Sequence, residues 1–360
     1  MNFELSKLIS ANVNEMQWQN PSSKQVANVN ILLDSNENAL GSPLIKWYNR
    51  YPKNEMEKLI MAIASIKAVS VENIFLSNGN FAVLDLLIRC FCNPGIDKMI
   101  ACPPCNGHFE NLAKLNNVFL QKVPLLDDFQ LDLIQLEHIA DNKTKIIFIE
   151  SPNSVVGNAM NRADIELVLN NFNGLVVIDE TYVNFSRQKS FVTELADYPN
   201  LIILQNFDIA WGLAGLGVSM LIASKEIIAL LNTIQDLHPI NLPTQELMLK
   251  ALEEVGMVND MTKELVQMRE ALKKVLPKLP FIEKVYPSDA NFLLVKMDNV
   301  IGVYNYLLQK EIAVKDVSHL DQCENCVRIT VGTEEENTSL VEALVDYFDE
   351  NWKADIEPNK

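Results

Sequence analysis

The sequence predicts an α/β protein, with a large domain on a mostly parallel sheet and a small α+β domain built from the C-terminus. Three observations predict it. Short runs rich in Ile, Val and Leu recur through the middle of the chain without an internal period of two, as strands buried on both faces read. Helical spacing appears between two of them, at Ile165, Val168, Leu169 and Phe172. The last part of the chain changes character and mixes isolated strands with helices.

The elements follow in order. The buried runs are Asn73–Leu76, Met99–Cys102, Lys145–Ile149, Leu175–Ile178, Leu201–Leu204 and Val218–Ile222. A long helix is expected around Gln245–Leu276, joining the two parts. Phe292–Met297 reads as a strand, and Val303, Tyr306 and Leu307 mark a helix. Val327–Val331 reads as another strand. Thr333 with Glu336 forms a capping box for a last helix to about Trp352. The residues from Lys353 to Lys360 read as a frayed tail. This divides the 360 residues into an N-terminal arm at 1–31, a large domain at 32–270 and a small domain at 271–360.

Composition narrows the function. The chain has 47 acidic and 30 basic residues, a net charge of −17. Such a surface repels phosphate backbones and anionic lipid heads, so neither nucleic acid nor membrane is an expected partner. The first residues lack an apolar export segment, and no apolar run approaches a membrane span. A cytoplasmic protein is the expectation. Six cysteines in 360 residues do not suggest a disulfide scaffold.

Ligands of open α/β sheets sit beyond the C-terminal ends of strands. Those segments are Ser77–Ala82, Pro103–His108, Ser151–Gly157, Asp179–Phe185 and Gln205–Gly217. Ordered phrases accompany them: Leu33-Asp-Ser-Asn-Glu-Asn38, Tyr48-Asn-Arg-Tyr-Pro52, Asn73-Ile-Phe-Leu76, Ser151-Pro-Asn153 and Val177-Ile-Asp-Glu-Thr-Tyr182. Trp211-Gly-Leu-Ala-Gly215, Tyr286-Pro-Ser-Asp-Ala-Asn291 and Arg328-Ile-Thr-Val-Gly-Thr333 complete the set. Together they resemble the histidinol-phosphate aminotransferases, which are fold-type-I enzymes dependent on pyridoxal phosphate (PLP).

The resemblance implies roles residue by residue. Asp179 would face the pyridine nitrogen and Tyr182 the ring oxygen. Tyr51 would reach the cofactor phosphate across the interface of a homodimer. Arg328 would clamp a substrate carboxylate, with Asn291 beside it and Asn36 at the substrate. Several positions depart from the family. Its cofactor-bonding lysine is Ile209, which can form no imine and carry no proton. The nearest lysines in sequence are Lys189 and Lys225. The phosphate cup begins Gly79-Asn80-Phe81-Ala82, Asp208 replaces a serine, and Gly217 replaces an arginine. The stacking aromatic is Asn106, and the asparagine at the ring oxygen is Ser154. Val317, with Lys315 before it, stands where the family reads a substrate phosphate. The losses cluster where the cofactor would lie, so the sequence leads us to expect no cofactor, with any PLP binding weak and non-covalent.

Alternatives stand beside each role. Asp179 and Tyr182 could be a local hydrogen-bonding pair. Arg328 could make an interdomain salt bridge, although a carboxylate site is favoured. Asp208 is either a new acid–base group or a carboxylate capped by backbone amides. His108 could enter the cleft as an acid or base, but a structural histidine is preferred. Cys102 with Cys105, and Cys323 with Cys326, have spacings seen in metal sites; no metal is expected. Three functions remain. The first is binding of a small amino-acid-like carboxylate, with a PLP-independent reaction. The second is a non-catalytic regulatory or partner protein. The third is a transaminase with a displaced lysine.

Overall fold

In a computed structural model the described residues are 3–15, 36–44, 48–51, 55–105, 107–234 and 239–352. Asn106, most of the arm at 1–31 and the tail at 353–360 lie outside the described residues. The chain runs through α1 (Ala11–Glu15), α2 (Glu55–Lys67), β1 (Ile74–Asn78), α3 (Asn80–Phe91), β2 (Lys98–Ala101), α4 (His108–Leu115) and β3 (Phe119–Lys122). It continues through α5 (Leu133–Ile139), β4 (Thr144–Glu150), α6 (Arg162–Asn171), β5 (Leu175–Asp179), β6 (Leu201–Asn206), β7 (Val218–Ala223) and α7 (Lys225–Ile234).

These strands form one seven-stranded sheet in the order β1-β7-β6-β5-β4-β2-β3. Strands β2 to β6 pair in parallel, and β7 runs antiparallel to both β1 and β6. All of the apolar runs read from the sequence lie in this sheet. Each buries both faces. Ile147, Ile149, Val176, Ile178 and Ile203 pack into one layer, while Ile146, Phe148, Leu175, Val177 and Ile202 pack into the other. Strand β3 escaped the sequence reading. It is an edge strand with exposed Phe119 and Lys122, so it lacks the doubly apolar signature.

The second part comprises α8 (Leu242–Leu252), α9 (Val255–Val275), β8 (Ile282–Val285), β9 (Phe292–Met297), α10 (Val300–Gln309), β10 (Lys315–Asp316), β11 (Cys326–Thr330) and α11 (Glu334–Tyr347). Its strands form an antiparallel sheet, β10-β11-β9-β8. The single helix expected over Gln245–Leu276 is two, α8 and α9, broken at Glu253 and Glu254. Acidic residues are unfavourable at the end of one helix and favourable at the start of the next. The capping box is present: Glu336 N donates to Thr333 Oγ1 at 3.2 Å, and Thr333 N donates to Glu336 Oε2 at 2.7 Å.

A short loop after β4 joins the two sheets. Gly157 sits at φ +92°, and a Cβ built on it would come within 2.5 Å of Ser288 Oγ and 3.1 Å of the Phe292 ring. Asp289 N donates to Gly157 O at 2.7 Å. Arg269 of α9, 1% exposed, donates to Ala290 O at 2.6 Å and Phe185 O at 3.5 Å, riveting both sides of the junction. Gly157→Ala therefore meets strain and collision together. It should lower stability by about 2 kcal/mol or more, read as a shifted denaturant midpoint; an unchanged midpoint would show that the junction yields freely.

Candidate active site

Parallel strands deliver their last residues to one rim. Glu150 ends β4, Asp179 ends β5 and Asn206 ends β6, and Glu150 and Asp179 are register partners. Helix α3 starts on the same rim at Asn80, directly after β1. Gly79 precedes it at φ +88° and provides no side-chain cap, so the first-turn amides face outward unclaimed by one. Gly79 and Gly217 lie back to back: a Cβ on Gly79 would stand 3.9 Å from Gly217 O.

Asp179 accepts from Thr181 N at 2.9 Å and from Thr181 Oγ1 at 2.6 Å. Burial pushes its pKa up, and the two Thr181 bonds only partly offset that. No ion pair reaches it among the described residues. Around it runs a polar chain. Asn80 Nδ2 and Asn206 Nδ2 donate to Thr181 Oγ1 at 3.2 and 3.3 Å, and Ser219 Oγ donates to Asn80 Oδ1 at 2.5 Å. Burial lifts the Tyr182 phenol to about 12; Arg328 works against this, and Glu150 and Asp179 add to it.

Arg328 crosses from the small sheet to the large one. Its Nη1 donates to Ser154 O at 2.6 Å, and its guanidinium lies 5.1 Å from the centre of the Phe292 ring. Phe292 in turn meets Tyr182 edge-on at 5.3 Å. Among the described residues no carboxylate pairs with Arg328, so the interdomain contact is a hydrogen bond to a carbonyl rather than a salt bridge. Asn291 stands beside this strand, its carbonyl accepting from Val331 N at 2.9 Å. Ser154 gives both N–H and Oγ–H to Glu150 Oε2, at 3.0 and 2.6 Å.

Ile209 is half-buried against the core. Beside it, Asp208 Oδ1 is buried without a hydrogen-bond partner, and burial raises the pKa of that carboxyl. This departs from a carboxylate capped by amides: Asp208 N donates to Asn206 Oδ1 instead. Neither neighbouring lysine serves the rim. Lys189 is exposed, and Lys225 follows β7, whose reversed direction carries it to the opposite rim. A third lysine, Lys67, has its pKa lowered by burial, with Glu180 opposing the shift; Glu180 points to the other face of β5 from Asp179.

The remaining residues fall outside this cluster. Asn36 and Tyr51 line a 740 Å³ cavity with Arg50 and Asn241, and none of the strand-end residues lines it. His108 heads α4 and meets Phe81 edge-on at 5.8 Å. Val317 is 2% exposed, in the core, so the position cannot read a phosphate. Burial raises Cys102 and Cys323 to about 12, Cys326 to about 11, and Cys105 higher still. Such thiols stay protonated, and no group of three or more potential metal ligands gathers among the described residues. Sequence reasoning missed Glu150, Thr181 and Ser219. Glu150 carried a signal, a charge closing an apolar strand.

Comparison with known proteins decides the family. The profile described as "Aminotransferase class I and II" matches residues 8–344. The chain belongs to this family. A histidinol-phosphate aminotransferase of Cytophaga hutchinsonii is 40% identical over 348 residues, covering 96% of this chain and 100% of the relative. One from Parabacteroides distasonis is 41% identical, covering 95% and 98%. Among solved structures, the histidinol-phosphate aminotransferase of Clostridium acetobutylicum has a TM-score of 0.77 at 22% identity, covering 84% of this chain and 91% of that one. That of Sinorhizobium meliloti, in complex with pyridoxal 5′-phosphate, has a TM-score of 0.75 at 19% identity, covering 83% of each chain.

The family corrects one expectation. Loss of the cofactor was inferred from clustered substitutions, but near-full-length relatives are named as aminotransferases, and a member of this fold is in complex with PLP. The residues present also fit a pyridine ring. Asp179 is a desolvated carboxylate with no cation paired to it among the described residues, Tyr182 is a protonated phenol, and the α3 N-terminus has no side-chain cap.

The Asp179 shift has a measurable sign. Its pKa is raised from 3.8, so its contribution to stability is fully present below that value and is lost as pH rises through the folded pKa. Asp179→Asn keeps an acceptor for Thr181 and removes this loss. In ligand-free protein the variant should gain on the wild type as pH rises from about 4 towards neutrality, followed by denaturant titration at several pH values. A flat difference would mean that Asp179 has a partner when folded.

Proposed function

We propose that this chain is a PLP-binding aminotransferase that holds its cofactor by non-covalent contacts and takes an amino-acid carboxylate on Arg328. Asp179 carries the reading. A buried carboxylate without a counter-ion is costly, and a protonated pyridine nitrogen supplies the missing charge. When bound, PLP supplies an aldehyde that exchanges amino groups and a ring that draws electrons from the substrate.

The chain's own residues do the rest. Asp179 holds the ring nitrogen protonated, and Tyr182 donates its phenolic proton to the ring oxygen. The first-turn amides of α3 receive the phosphate. Arg328 exchanges Ser154 O for the substrate carboxylate, which its planar fork fits. Asp208, with an unpartnered Oδ1 one residue from Ile209, carries the proton that a lysine at 209 would carry. Tyr51, 57% exposed, is offered to the site of a second copy, which supports a homodimer.

The test is PLP titration followed by borohydride. We expect reversible binding, no adduct fixed to the protein, and at least about tenfold weaker binding in Asp179→Ala. Asp208→Asn should still bind while losing amino transfer to an oxo acid. PLP fixed by borohydride to a lysine would install the displaced-lysine reading instead. Absence of binding at millimolar PLP would end the proposal.

A further inference from the structure

Thr181 follows the end of β5 by two residues, and its hydroxyl is fully used. A hydroxyl offers two lone pairs and one proton. Asn80 Nδ2, at the start of α3, and Asn206 Nδ2, at the end of β6, donate to Thr181 Oγ1 at 3.2 and 3.3 Å. Neither amide is free to turn round. Asn80 Oδ1 accepts from Ser219 Oγ at 2.5 Å, and Asn206 Oδ1 accepts from Asp208 N at 3.3 Å. With both lone pairs taken, the Thr181 proton has one direction left, to Asp179 Oδ1 at 2.6 Å. Thr181 N donates to the same oxygen at 2.9 Å.

The two oxygens of Asp179 therefore differ. Oδ1 receives two donors from one residue, which leaves it no place for a proton of its own. Oδ2 has no hydrogen-bond partner among the described residues and, unlike Asp208 Oδ1, is not sealed from solvent. The neighbours from α3, β6 and β7 are neutral: Asn80, Asn206 and Ser219. The titratable ones are Glu150, its register partner on β4, and Tyr182, the residue after Thr181. We propose that Thr181 is a positioning residue that commits Asp179 Oδ1 to the chain and leaves Oδ2 for the ring nitrogen of the cofactor. This rests on the reading that the cleft takes PLP.

Thr181→Val keeps the shape and removes the hydroxyl, while Thr181→Ser keeps the hydroxyl. Carbon-13 NMR of the aspartate carboxyls in ligand-free protein follows the carboxylate directly, with the Asp179 signal assigned by its loss in Asp179→Asn. Its titration midpoint should rise by about one unit or more in Thr181→Val, because a donor to the charged form is gone, and stay near the wild-type value in Thr181→Ser. Calorimetry of the full chain at neutral pH then compares PLP with its 1-deaza analogue, in which CH replaces the ring nitrogen. Thr181→Val should weaken PLP at least about fivefold and leave the analogue within about twofold of its wild-type affinity; Thr181→Ser should restore PLP. Analogue binding also reports that the variant is folded. If Thr181→Val does not fold, Thr181→Ala takes its place with the same expectations. An unmoved midpoint, an unchanged PLP affinity, or equal loss of both ligands overturns the role of Thr181 while the cofactor reading stands. Failure of both ligands to bind the wild type overturns the cofactor reading, and this role with it.

Discussion

The cleft depends on a contact that leaves no room for a side chain. At Gly157 the backbone of the large sheet's loop presses on Ser288 and Phe292, closer than any Cβ allows. The contacts beside it that cross between the sheets are placed by that approach. Asp289 N bonds Gly157 O, Asn291 and Phe292 follow within a few residues, and β9 aligns β11 so that Arg328 reaches Ser154. Arg269 fixes the other flank from a buried position, holding Ala290 and the turn after Tyr182 to α9. Tyr182, Phe292 and Arg328 thus form one stack whose members come from both sheets. A shift of this loop would move the carboxylate clamp and the ring-side phenol together.

The electrostatics of the rim follow from the same geometry. Parallel strands bring Glu150 and Asp179 side by side, and burial makes the charge of Asp179 expensive. Neutral donors reach both. Thr181 serves Asp179 and Ser154 serves Glu150. Arg328 is the cation felt by the Tyr182 phenol, and its hydrogen bond goes to a carbonyl. Asp179, whose printed donors are neutral, accepts a cationic ligand group more readily than a carboxylate already neutralised by lysine or arginine.

Much of this was legible in the sequence. The doubly apolar runs gave away the central strands because burial on both faces leaves no other composition. Thr333 and Glu336 announced their helix because capping is local chemistry. Strand β3 and the break between α8 and α9 were not legible: an edge strand is half solvent-exposed, and the break involves two glutamates that are good helix formers. At the site, motif order marked Asp179, Tyr182, Arg328 and Ile209. It could not reveal that Ser154 is turned towards Glu150, since hydrogen-bond direction depends on strand register. Nor could it reveal that Asp208 keeps an unpartnered oxygen. The inference of a missing cofactor failed for a physical reason. Substitutions were counted as lost contacts, while the buried charge that still asks for a cation became visible only in three dimensions.

On the proposed reading, isoleucine at residue 209 alters the kind of binding more than the place of it. A covalent bond to the chain would hold the ring at any cofactor concentration. Hydrogen bonds and a buried ion pair give an occupancy that follows the free concentration, and stabilisation of the fold follows it too. A cofactor held in this way behaves as a second substrate, entering in one amino state and leaving in the other. The side chain at 209 then only has to fill space beside the ring, which a branched hydrocarbon packed against the core does without a desolvated amine next to Asp208. On that reading a hydrocarbon at 209 and a cofactor at Asp179 are compatible, because they concern different bonds.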